Sequence, residues 1–208
     1  MTRPIPIACW AAVSSRRPPP LSDPLHLASR SGLPDEWRIG LTEFPRDRWQ
    51  EPTVAEMARF WLGVHEGFRR HRLHMKAVID HWRGGHSDLT GLHGRLIPAV
   101  QQFLQHLDTH HRIESGQYFP TFRTLDPRIA QGVDLLDRDH DVVHEQLEAL
   151  FQSAVGFHQG WQTKAPDAAD KAARLADTVI GMGPLVIRHL DDEEEIVIPL
   201  IQRHGLSG

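Results

Sequence analysis

Four long stretches of this chain place apolar residues at three- and four-residue steps, and glycine or proline marks their ends. That spacing gathers apolar side chains on one face of an α-helix and offers a strand no consistent inner face. The first stretch runs from Pro52 to about Trp82, where Met57, Phe60, Trp61, Val64 and Phe68 share a side ahead of Gly84 and Gly85. Thr53-Val54-Ala55-Glu56 matches a capping box at its start, with Thr53 and Glu56 satisfying free amide hydrogens. The second covers residues 88–118, with Pro98 expected to bend it and Pro120 to end it. The third, residues 128–160, carries Val133, Leu136, Val143, Leu147, Leu150 and Phe151 and closes near Gly156, Gly160 and Pro166. The fourth covers residues 167–203, its first half expected to be disturbed by Gly181, Gly183 and Pro184.

Short connections between such helices predict an all-α fold, an up-down-up-down four-helix bundle over residues 53–203. Ahead of it, residues 1–22 are rich in proline, serine and arginine and read as a disordered lead-in. Residues 23–52 hold short apolar groups (Leu25, Leu27, Leu33, Trp37, Ile39, Leu41) broken by prolines and glycines, and read as an N-terminal arm laid over the bundle.

Composition narrows the function classes. The 208 residues suffice for one domain with a sizeable core. The formal net charge is -4 with both signs dispersed, so no basic run points to nucleic acid. No apolar run approaches the roughly 20 residues of a membrane span. Ile5 to Val13 follows Arg3 as a leader peptide would, but Pro4, Pro6 and the stretch Arg16-Arg17-Pro18-Pro19-Pro20 weigh against that reading. Cys9 is the sole cysteine, which rules out a disulfide or thiolate site within one chain and fits a reducing, cytoplasmic setting. Against one tyrosine stand 15 histidines.

Histidine is the commonest metal ligand, yet it also decorates solvated helix faces, so spacing has to decide. His110 and Glu114 are four residues apart on the second helix, about 40° apart on one face. His189 and Glu193 repeat the spacing on the fourth helix, and His140 and His144 repeat it as a histidine pair on the third. The first helix offers His65 on the side of Trp61 and Phe68. Any one pair fits an exposed ion pair; three on separate helices are hard to place by chance. Ile196, Val197, Ile198, Leu200 and Ile201 directly follow the acidic run Asp191–Glu195, so that helix is buried. A buried ionised carboxylate is costly unless it is paired or binds a metal. His71, His74, His81, His86, His93, His158 and His204 fit no ligand scheme and are expected in surface or packing roles.

These blocks resemble the hemerythrin / HHE cation-binding family over residues 53–203. The resemblance rests on Trp61 to Arg69, on His110-His111-Arg112-Ile113-Glu114 with Tyr118-Phe119-Pro120, on Asp139 to His144, and on His189 to Pro199. It implies a non-haem diiron centre in a four-helix bundle. Carried over by motif, the metal ligands are His65, His110, Glu114, His140, His144, His189 and Glu193. A five-residue spacing in the last block would select Glu194 instead of Glu193, and both are glutamates. The cofactor implied is two iron ions with a bridging oxide or hydroxide. Five histidines, two bridging carboxylates and the bridging oxygen fill all but one of about twelve octahedral positions. An open position suits dioxygen, another small diatomic or peroxide. Phe60, Trp61, Val143, Leu147 and Val186 are expected to line its pocket by helical phase. The site then either binds or senses dioxygen, or turns over peroxide, nitric oxide or iron. Neither the Glu-x-x-His of ferritin-like oxidases nor the His-Glu-x-x-His of zinc proteases occurs.

Overall fold

The computed structural model describes residues 23–206; the expected lead-in, residues 1–22, lies outside the described residues. The fold is carried by α1 (Glu56–Arg83), α2 (Leu89–Ile113), a short α3 (Phe119–Leu125), α4 (Ala130–Gln162) and α5 (Ala168–His204). Among the described residues there is no strand. The long helices form a square in which α1 and α4 each pack against both α2 and α5. The tight α1–α2 and α4–α5 links make those neighbours antiparallel, as a bundle of this topology requires. At the first link Gly85 takes φ +76°, a left-handed conformation that glycine reaches without strain.

Helix ends differ from the sequence expectation in two places. The capping box at Thr53–Glu56 does not form: α1 begins at Glu56 with Ala55 as its cap and no side-chain capping bond. Thr53 Oγ1 bonds Glu51 instead, and the Ala55 N–H donates to Gln202 Oε1 at 2.8 Å, so a tertiary contact from the end of α5 replaces the local cap. The second helix does not stop at Pro120. It leaves α-geometry at Glu114, passes through a π-turn over Glu114–Tyr118, and resumes as α3 to Leu125. Proline lacks an N–H and its ring collides with the preceding turn. The widened turn absorbs both faults, leaving Pro120 in the first turn of α3, where no donor is needed. In α5 the helix continues through Gly181, Gly183, Pro184 and Pro199 and ends at Gly205, whose φ is +57°.

Two apolar cores result. One joins Phe68, Leu96, Phe103, Leu107, Val143, Leu147, Val186 and Leu190 among the four long helices. The other joins Trp61, Phe119, Phe122, Leu136, Val197 and Ile201 to Leu33, Phe44 and Trp49 of the arm. The arm, residues 23–55, winds through short 3-10 turns at Asp35–Trp37, Ile39–Thr42 and Arg46–Arg48. Gly40 lies so close to Pro199 of α5 that a Cβ there would sit 2.4 Å from the proline Cβ.

Candidate metal centre

Between the two cores lies a layer of buried histidine and carboxylate side chains. Each is delivered by one long helix: His65 by α1, His110 and His111 by the last turn of α2, His140 by α4, His189 and Glu193 by α5. Glu114 opens the π-turn, a distortion that recurs at functional sites and here follows the histidine pair directly. The side chains form two groups whose ligand atoms lie within 4.8 Å of one another: His65, His110, Glu114 and Glu193 in one, and His111, Glu114, His140 and His189 in the other.

Glu114 belongs to both groups. Its Oε1 lies 2.8 Å from His110 Nε2, and its Oε2 lies 3.4 Å from His140 Nε2. Glu193 straddles the pair in the same way: Oε1 is 3.2 Å from His65 Nε2, and Oε2 is 3.4 Å from His189 Nε2. These approaches lack hydrogen-bond alignment. Glu114 Oε1 and Oε2, Glu193 Oε2, and the Nε2 atoms of His111, His140 and His189 are buried with no hydrogen-bond partner. A buried polar atom left unsatisfied costs on the order of 1–3 kcal/mol. So many converging on two points is a donor set that fits metal ions and little else.

Outer contacts hold the rings in place. A ligating imidazole normally offers its other nitrogen to an acceptor that fixes tautomer and orientation. His65 Nδ1 meets Glu194 Oε1 at 3.1 Å, and that oxygen also accepts from Arg69 at 2.7 Å. His140 Nδ1 meets Ser115 Oγ at 2.8 Å, and the hydroxyl donates to Asp137 at 2.6 Å, itself tied to Arg123. His189 Nδ1 faces Asp139 Oδ2 at 3.6 Å, longer than a hydrogen bond and leaving that nitrogen buried without a hydrogen-bond partner, and Asp139 is gripped by Arg30 of the arm. Each arrangement leaves Nε2 directed into the site. Trp61 Nε1 donates to Glu193 Oε1 at 2.6 Å, anchoring the shared carboxylate.

The charges are mutually adjusted. Burial opposes a charge on His65, but the carboxylates of Glu193, Glu114 and Glu194 override it and hold its pKa well above the ordinary histidine value. Burial likewise opposes ionisation of Glu114, yet His110, His140 and His65 keep its pKa well below the usual carboxylate range. Burial, with His140 and His189 nearby, pushes His111 well below the ordinary value, so this ring stays neutral and ready to ligate.

The structure brings together His65, His110, Glu114, His140, His189 and Glu193 from the sequence-derived set. It does not bring His144 to either group. His144 Nδ1 faces Asp108 at 3.9 Å with its side chain partly exposed, one helical turn beyond His140. In its place stands His111, stacked on His140 with ring centroids 4.0 Å apart. His111 follows Leu104 and Leu107 at helical spacing on the buried face of α2. That face leads straight into this layer. The histidine doublet was the available signal. Of Glu193 and Glu194, the first lies in the group and the second supports His65 from outside.

A family model for the hemerythrin HHE cation-binding domain matches residues 56–201. The chain belongs to the hemerythrin HHE family. Comparison with curated proteins and with solved structures gave no match. The HHE match covers α1, α2 and α4 whole, α5 as far as Ile201, and every residue of both groups. Within the HHE domain, a groove of about 720 Å³ runs between α1 and α2 and reaches His110 and Glu114 past Phe60, Trp61, Gly63 and Gly67. The pocket lining expected from helical phase is thus corrected in part. Phe60 and Trp61 border the groove, whereas Val143, Leu147 and Val186 are buried in the core among the long helices and do not line it. No helix among the described residues is long and apolar enough to cross a membrane.

Proposed function

We propose that this HHE domain holds two iron ions, bridged by Glu114, Glu193 and an oxide or hydroxide, and binds or senses dioxygen or a related small molecule. The observation that carries this reading is the asymmetry of the two groups. One ion would take His111, His140 and His189; the other would take only His65 and His110. With both carboxylates and an oxygen bridge shared, the first site would offer six donors and the second five, one short of an octahedral set. The exchange of His144 for His111 leaves that count unchanged. Iron, which cycles between two oxidation states, supplies the electrons that small oxidants require. The chain's own residues supply the rest. Glu114 and Glu193 set the separation of the two sites, and Trp61 and Phe68 pack on His110 and, with Tyr118 in the groove wall, limit water at the groove side.

A second reading, a redox enzyme acting on peroxide, nitric oxide or iron, draws on one observation. The groove is larger than a diatomic ligand needs and opens next to the two-histidine group. Iron analysis and optical spectra of the reduced protein before and after admission of oxygen test both. About two irons per chain, with a visible absorption that reverses on deoxygenation, supports binding. Sustained peroxide consumption without a reversible spectrum transfers the assignment to the enzyme. One tightly held zinc and no iron, in protein expressed with ample iron, defeats the diiron reading.

A further inference from the structure

The outer contact to His189 differs from those of its fellow ligands in its source. Arg69 and Arg123, which anchor the partners of His65 and His140, belong to α1 and α3. Arg30, which anchors the partner of His189, belongs to the arm outside the bundle. Its side chain is 2% exposed, although arginine is almost never buried without dedicated partners. It has them. Nη1 donates to Asp139 Oδ1 at 2.8 Å, Nη2 donates to Asp139 Oδ2, and Nε donates to Asp192 Oδ2 at 2.7 Å. Nη1 also closes a loop of the arm by donating to Leu25 O at 2.9 Å. One guanidinium thus ties together the arm, the α4 residue that faces His189, and the α5 residue adjoining Glu193.

We propose that Arg30 is a positioning residue for the metal centre: it fixes Asp139 against His189 Nδ1 and so couples docking of the N-terminal arm to metal affinity. The proposal rests on the diiron reading above. Its physics is that of an outer-shell carboxylate. Asp139 can orient the ring only while its own two oxygens are held, and the planar fork of arginine holds both at once. Coupling of this kind is reciprocal, so the metal must in turn steady the arm. Of the other arm arginines on the acidic run, Arg38 lacks that connection, since it pairs with Glu195, which lies in neither ligand group; Arg46 also pairs with Glu195 and reaches Glu194 Oε2 only at 3.8 Å, where Arg69 already holds that carboxylate.

The test is anaerobic ferrous-iron affinity by chelator competition, read together with hydrogen exchange of residues 23–34 with and without iron. Arg30→Gln is expected to weaken iron binding about 10–100-fold and to abolish the protection that iron confers on those residues. Arg38→Gln is expected to leave both close to wild type. Asp139→Asn combined with Arg30→Gln is expected to bind no more weakly than the weaker single variant, because both act through one contact. Arg30→Lys keeps the charge without the fork and is expected to fall between wild type and Arg30→Gln. It serves as the reporter if Arg30→Gln does not fold. Equal losses in Arg38→Gln and Arg30→Gln, or additive losses in the double variant, would overturn the proposal by reducing Arg30 to general arm docking. Wild-type affinity in the Arg30 variants would overturn it alone, whereas a wild-type protein that takes up no iron would bring down the diiron reading and this proposal with it.

Discussion

Glu114 and Glu193 each show one oxygen to each histidine group, and that placement separates their expected roles from those of the terminal histidines. Glu114→Ala should lose both irons, while His111→Ala should retain the ion on the His65 side with reduced affinity. His144→Ala should keep the full complement, because His144 reaches neither group. Metal analysis of the purified variants checks all three; full iron in Glu114→Ala would refute bridging. Glu194→Ala should keep both irons but bind them about 10–100-fold more weakly, as loss of an outer contact does, whereas Glu193→Ala should fail to assemble the pair. His65 supplies a pH dependence. Its raised pKa in the metal-free fold contributes stability that is complete below the unfolded value of about 6.5 and is lost as pH rises through the folded value. A bound metal instead requires the deprotonated ring. The gain in melting temperature on iron loading should therefore increase from about pH 6 to about pH 8, and a gain that shrinks over that interval would contradict the assignment.

At the scale of elements, the fit of the arm to α5 turns on Gly40. A methyl group there would meet the rigid ring of Pro199 at 2.4 Å, with no flexible side chain to yield. Gly40→Ala should cost about 1–3 kcal/mol, as overpacking does, lowering the melting temperature while leaving iron stoichiometry intact; an unchanged melting curve would show that the arm shifts freely. The elements themselves were largely legible from apolar periodicity, which is a local signal, and so were the carboxylates that repeat a histidine spacing. What was illegible depended on neighbours. Thr53 and Glu56 had the local chemistry of a cap, but Gln202 from the far end of the chain reached the Ala55 amide first. Pro120 had the local chemistry of a stop, but a π-turn admitted it and carried the helix on to Leu125. His144 and His111 changed places because a four-residue rule follows one face of one helix. The centre is instead defined by where four helices converge, and there two adjacent residues of α2 serve different groups.

At the scale of the whole molecule, the histidine layer divides the interior. One apolar core lies on each side of it, and the arm reaches both, adding Leu27 to one and Leu33, Phe44 and Trp49 to the one that contains Trp61, Phe119 and Val197. Apolar packing within each core does not depend on metal, but the layer joining them does, because its buried nitrogens and oxygens lack protein partners. Iron bound to the native state alone should stabilise it by about 2.7–4.1 kcal/mol when present at 100 to 1,000 times its dissociation constant. For a chain of this size each kcal/mol shifts the midpoint by about 2–4 °C. Chelation should thus lower the melting temperature by about 5–15 °C. The loss should not be uniform. Hydrogen exchange should accelerate first at the π-turn Glu114–Tyr118 and at the last turn of α2, where backbone and ligands are one structure. The core around Leu96, Phe103 and Leu150, remote from the layer along the bundle, should keep its protection. Coincident melting curves with and without iron, or exchange that quickens equally in every helix, would show that the two cores cohere without the centre and that the layer is not what joins them.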